Sequence, residues 1–138
     1  MSVLVDTSVW SLALRRRRVQ EEHPAVQELA RLVRDGQASL LGPVRQELLS
    51  GIKHREQFEL LRDRLRAFGD TPLEAADFED AADAGNRCRA RGVQGSTIDF
   101  LLCAVSLRRD LPLFTTDADF TRFQRVLGFA LHEIPERR

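Results

Sequence analysis

The sequence predicts an α/β fold, with a mainly parallel central sheet between two helical layers, on three observations. Short apolar runs suited to buried strands, Val3-Leu4-Val5, Ala38-Ser39-Leu40-Leu41 and Leu111-Pro112-Leu113-Phe114-Thr115, alternate with longer segments of helical spacing. That alternation implies right-handed crossovers between parallel strands, with helices covering both faces. A segment from Ser96 or Thr97 to Arg109 is apolar almost all round (Ile98, Phe100, Leu101, Leu102, Ala104, Val105, Leu107), as a centrally buried helix must be. The 138 residues suit a single domain over 1–138, and no linker, repeat or low-complexity tract divides them.

Taken in order, the first strand stops abruptly at Asp6-Thr7-Ser8, and a short helix from about Thr7 leads into the arginine run Arg15 to Arg18. His23-Pro24 opens a helix with Val26, Leu29, Ala30 and Val33 on one face, ended by Asp35-Gly36. The strand Ala38 to Leu41 closes at Gly42-Pro43, where proline suits a helix start, and Val44 to Ile52 carries Glu47. From His54 to Phe68 the residues Phe58, Leu61, Leu65 and Phe68 form an apolar stripe, read as core. Gly69 to Leu73 is a turn with room for a brief strand. Thr71-Pro72-Leu73-Glu74 has the form of a capping box, starting a helix to about Arg91 that packs through Phe78, Ala81, Ala82 and Gly85. After the Gly92–Gly95 loop and the apolar helix come the Leu111–Thr115 strand, a short helix over Phe120 to Val126 and a last strand near Phe129 to His132.

The composition is that of a globular chain, 43% apolar and 30% charged, without an apolar run long enough for a membrane span. No N-terminal basic region leads into a long apolar stretch, so the expected location is the cytoplasm. Cys88 and Cys103 lie in helix-like segments without disulfide or metal-ligand spacing and are expected to be reduced and packed. The 21 basic and 21 acidic residues balance, which argues against a protein that coats nucleic acid by charge alone. Positive charge is nevertheless clustered, and Arg15, Arg16, Arg17 and Arg18 are the expected RNA phosphate contact.

Four acids fall at element boundaries. Asp6 follows the first strand, Glu47 lies early in the helix entered from the second, Asp99 lies in the first turn of the apolar helix, and Asp117 follows the strand ending at Thr115. In a parallel sheet the strand carboxyl ends and the following helix amino ends share one edge, so all four carboxylates face one crevice. Each also has a plain structural reading. Asp6 or Thr7 suits a helix cap, Asp99 suits a box with Ser96, Asp117 or Asp119 caps the last helix, and Glu47 suits a solvated face. Clustered carboxylates repel, so protons or a cation must sit among them. Oxygen-only donors select a hard ion, Mg²⁺ or Mn²⁺. An ion held this way suits phosphodiester hydrolysis, with Thr7, Ser8 and Thr115 as supporting hydroxyls. His23, His54 and His132 lack metal-ligand spacing and are read as surface or satisfied residues.

These residues resemble the PIN-domain ribonucleases, specifically the VapC-type toxins of type II toxin–antitoxin pairs. Asp6-Thr7-Ser8-Val9-Trp10 is similar to the opening signature of that family. Gln46-Glu47-Leu48-Leu49-Ser50-Gly51, Asp99-Phe100-Leu101-Leu102-Cys103-Ala104 and Thr115-Thr116-Asp117-Ala118-Asp119-Phe120 resemble its second, third and fourth acidic segments, with Cys103 where a small residue is usual. The resemblance spans essentially the whole chain. It implies a three-layer α/β/α PIN-like fold and a catalytic set of Asp6, Glu47, Asp99 and Asp117. It further implies Asp6, Asp99 and Asp117 as Mg²⁺ ligands and Asp119 as an auxiliary acid. The implied activity is endonucleolytic cleavage of structured RNA, commonly tRNA, which stops translation. The implied partners are a silencing cognate antitoxin and a second copy of the chain. The alternative is a catalytically silent PIN-like interaction module, against which the intact set of four acids argues. A phospho-receiver domain lacks its acid pair after the first strand here, and a dehalogenase-like phosphatase would need Asp117-Ala118-Asp119 at the start of the chain.

Overall fold

The computed structural model describes residues 2–15 and 22–135, the side chain of Arg15 excepted. Arg16, Arg17 and Arg18 of the expected RNA contact therefore lie outside the described residues. Strand β1 (Val3–Val5) is central, flanked in parallel by β2 (Ala38–Ser39) and β3 (Leu113–Phe114) in the order β2-β1-β3. Val3 pairs with Ala38, and Leu4 pairs with Ser39 on one side and Leu113 on the other. Single parallel bridges, Leu40 to Asp70 and Leu113 to Leu131, extend the sheet by one residue pair at each edge. The room left for a brief strand in Gly69–Leu73 is thus filled by one bridge. The expected final strand over 129–132 also shrinks to one, although the Leu113 N–H donates to Ala130 O and His132 N–H to Leu113 O.

The three β1 side chains are all buried, which requires apolar cover on both faces. The cover comes from α1 (Thr7–Trp10), α2 (Pro24–Arg34), α3 (Gly42–Leu49), α4 (Arg55–Leu65), α5 (Ala75–Ala90), α6 (Thr97–Arg109) and α7 (Asp119–Leu127). A π-helical turn, Ser11–Arg15, continues α1. Trp10 is buried from α1 and packs its ring 5.0 Å from that of Phe68, while Leu61 and Leu65 of α4 are buried beside them, so the stripe on that helix is core. Each such aliphatic side chain contributes about 1.5–3 kcal/mol by leaving water.

Helix α6 buries every residue from Phe100 to Ser106, and only its end departs from the expectation, with Leu107 exposed. Against it lies α5, whose buried residues are Asp77, Ala84, Gly85 and Cys88. Two expectations for α5 are corrected. Its cap is Glu74, three residues after Thr71, because the Asp77 carboxylate accepts the Glu74 backbone N–H at 2.8 Å. Phe78, expected on the packed face, is 52% exposed. It stands one position, about 100° of helix, beyond the anchored Asp77, on the outer side.

Asp77 is fully buried and receives Arg108 Nε at 3.0 Å and Arg109 NH2 at 2.8 Å, tying the start of α5 to the end of α6. A second buried acid, Glu28 of α2, takes two bonds from Arg31 (2.6 and 2.9 Å) and faces His132 Nε2. Thus His132 is a satisfied residue, as is His23, whose Nδ1 accepts the Ala25 N–H at the start of α2. Among the described residues no helix is long and apolar enough to cross a membrane.

Candidate active site

Asp6 stands immediately after β1, where the chain turns into α1. It occupies the cap position of that helix, yet its side chain makes no capping bond. Its Oδ2 instead accepts the Ser8 hydroxyl at 2.8 Å and the Thr115 hydroxyl at 2.8 Å. Ser8 Oγ accepts the Thr116 backbone N–H at 3.1 Å, and Thr115 Oγ1 accepts the Asp117 N–H at 3.0 Å. Asp117 Oδ1 in turn accepts the Asp119 N–H at 2.9 Å. A hydrogen-bonded chain therefore runs from the end of β1 through two hydroxyls into the turn after β3. The part played by the Thr116 backbone leaves no trace in the sequence, since any residue but proline supplies that donor.

Asp99 arrives from the other direction, on the first turn of α6. The box with Ser96 is real: Ser96 N–H donates to Asp99 Oδ2 at 3.0 Å and Asp99 N–H to Ser96 Oγ at 3.1 Å. The capping reading and the site reading are compatible, because the box fixes the carboxylate and uses Oδ2 alone. Burial raises the Asp99 carboxyl above its ordinary range, and the charges of Asp117 and Glu47 add to the rise. Asp6 is likewise raised, chiefly by burial, with the Ser8 and Thr115 hydrogen bonds opposing and the Asp99 charge adding. The four acids thus feel one another: Asp6 through Asp99, and Asp99 through Asp117 and Glu47. Behind them, one turn along α6, the buried Cys103 thiol is pushed far up by burial and further by Asp99 and Asp6.

The remaining expected site residues are placed less centrally. Asp119 Oδ1 is taken by Arg122 at 2.6 Å. Thr7 Oγ1 is buried with no hydrogen-bond partner among the described residues, so it does not join the Ser8–Thr115 pair. For a hard cation the donor set is suitable: carboxylate oxygens from four elements, mutually repelling, with Asp6 pinned through one oxygen and Oδ1 outside that pair of bonds. Among the described residues no group of three His, Cys, Asp or Glu side chains is arranged to hold an ion by itself. This matches the habit of Mg²⁺, which binds through one or two carboxylates and keeps much of its water.

The PIN domain family model matches residues 3–126, and the chain belongs to the PIN domain family, whose members are generally nucleases. Among solved structures it is similar to FitAcB from Neisseria gonorrhoeae, at 20% identity and a TM-score of 0.74, over 95% of this chain and 96% of that one. It is also similar to VapBC2 from Rickettsia felis bound to a DNA fragment from their promoter, at 16% identity and a TM-score of 0.72, over 96% and 98%. FitAB bound to an IR36 DNA fragment matches at 18% identity and a TM-score of 0.72, over 94% and 93%. At such identities the likeness is one of fold. In sequence, no curated protein matches the chain.

Proposed function

We propose that this PIN domain is a divalent-metal-dependent endoribonuclease of the VapC toxin kind, cutting structured RNA such as tRNA and so stopping translation. The observation that carries the reading is the mutual electrostatic coupling of Asp6, Asp99, Asp117 and Glu47 at one sheet edge. A structural role offers no reason to hold a buried, raised carboxylate beside three others, whereas a cation site requires it. Asp6, Asp99 and Asp117 would hold Mg²⁺, with Mn²⁺ as a substitute. When bound, the ion supplies an activated water and positive charge against the phosphate. Ser8 and Thr115 fix the Asp6 carboxylate, the Ser96 box fixes Asp99, and Glu47 and Asp117 set the negative potential that draws in the cation. Asp119 helps seat the turn that carries Asp117.

The partners follow from the same reading. A cognate antitoxin keeps the enzyme silent, in keeping with the likeness to VapBC2 and FitAB, and the working toxin is a cytoplasmic homodimer. Expression of the chain alone in a bacterial host should arrest translation within minutes and create new RNA 5′ ends, while Asp6→Asn, expressed equally, should do neither. Continued growth with the wild-type chain soluble and without new ends would move the assignment to a silent interaction module.

A further inference from the structure

The acid site has a neighbour. A groove of about 360 Å³ opens between α5, the first turn of α6 and the start of α3, lined by Phe78, Ala82, Arg89, Ile98, Leu101 and Pro43 among others. Its floor is close-packed: a Cβ on Gly85 would sit 3.1 Å from the Phe100 ring, so glycine there lets α5 approach α6. Its wall is unusual for this surface. Phe78 is 52% exposed, while the other large exposed apolar residues, Val33, Leu60, Leu107 and Ile134, are aliphatic and lie on other elements.

The groove reaches the carboxylates by two routes. Ile98 in its lining is the residue before Asp99. Pro43 in its lining lies one helical turn before Glu47 on the same face of α3. We propose that this groove receives a nucleobase of the RNA strand whose phosphodiester lies at the acid site, with the base stacked on Phe78 and Arg89 facing the backbone phosphate. The inference rests on the ribonuclease reading above. An apolar slot with one aromatic wall and one guanidinium at its rim matches how unpaired bases are held, by stacking and phosphate contact. A second copy of the chain fits less well, because a stable interface buries roughly 1,200 Å² or more around an apolar centre, and here a single aromatic ring stands out.

The test uses the full chain and a single-stranded RNA carrying one 2-aminopurine, whose fluorescence falls on stacking. Binding is measured in EDTA and cleavage in Mg²⁺. Phe78→Ala should weaken binding at least about fivefold, the low end for removing one stacking partner, and abolish the fluorescence change. It should raise KM with kcat nearly unchanged, the signature of lost ground-state binding. Phe78→Trp should restore both, which a merely structural role would not. Phe78→Ala that binds and cuts like the wild type overturns the proposal. So does a variant that turns a dimer into a monomer with RNA affinity intact, which would make this face an interface between copies. A wild-type chain that neither binds nor cuts RNA overturns the ribonuclease reading first and this inference with it, so the two failures are told apart.

Discussion

Removing the buried carboxylate of Asp77 should be the costliest single change away from the acid site. Asp77→Ala deletes the bond that caps α5, worth about 1 kcal/mol, and two bonds from arginines. Each arginine bond is worth about 1 kcal/mol, discounted because Arg108 and Arg109 keep 31% and 28% of their side-chain surface and rehydrate. The sum is about 3 kcal/mol, which for a domain of this size lowers Tm by about 10 °C. Asp80→Ala is the control. Asp80 is 55% exposed and lies 3.7 Å from Arg108, so it should cost less than about 0.5 kcal/mol. Burial alone would raise the Asp77 carboxyl, but the Glu74 N–H and the two arginines bring it below its ordinary value. A depressed carboxyl stabilises above its unfolded range and loses that contribution as pH falls through the folded value. The two melting temperatures should therefore converge in acid. Urea and thermal melts at pH 7 and pH 3 measure both effects. A loss under about 1 kcal/mol, or equal losses at 77 and 80, would refute the clamp.

Other expectations follow from the site and its supports. Asp6→Asn should abolish cleavage while leaving metal-free stability at pH 8 equal to or above that of the wild type. The raised Asp6 carboxyl favours the fold only while protonated, so its ionisation opposes folding as pH rises through the folded value; denaturant midpoints across pH check the sign. Gly95→Ala would place a Cβ 2.6 Å from Phe123 Cζ and 3.0 Å from Phe100 Cζ, costing about 1–3 kcal/mol in a chemical melt. Cys88 and Cys103 are buried with thiols raised chiefly by burial, so neither should react with a thiol reagent at pH 8 until the chain is unfolded.

What the sequence displays and what it hides divide along physical lines. Val3-Leu4-Val5 followed by Asp6 is local, and so is Ser96 with Asp99 three residues on; both read directly as strand end and capping box. The convergence of Asp6, Glu47, Asp99 and Asp117 follows from parallel topology alone. Glu28 and Asp77 could not be read as buried acids, because the partners that permit burial, His132 and the Arg108–Arg109 pair, lie 104 and 31 or more positions away. Phe78 misleads because helical spacing puts it with Ala81, Ala82 and Gly85, whereas the Asp77 anchor fixes the rotation of α5 and leaves the ring outside. The last strand is short of its expected length because past Leu131 the backbone pairing ends, and His132 turns its ring to Phe114 and Glu28.

The central claim is that four carboxylates at the sheet edge act as one metal-requiring site. Wild type and Asp99→Asn, purified alike, should be incubated with total tRNA in Mg²⁺, in Mn²⁺ and in EDTA. The account predicts discrete fragments from the wild type in either metal, none in EDTA, and a loss of at least about a hundredfold in Asp99→Asn, as expected when a group stabilising transition-state charge is removed. Cleavage that persists in EDTA, or that Asp99→Asn performs as fast as the wild type, would contradict it.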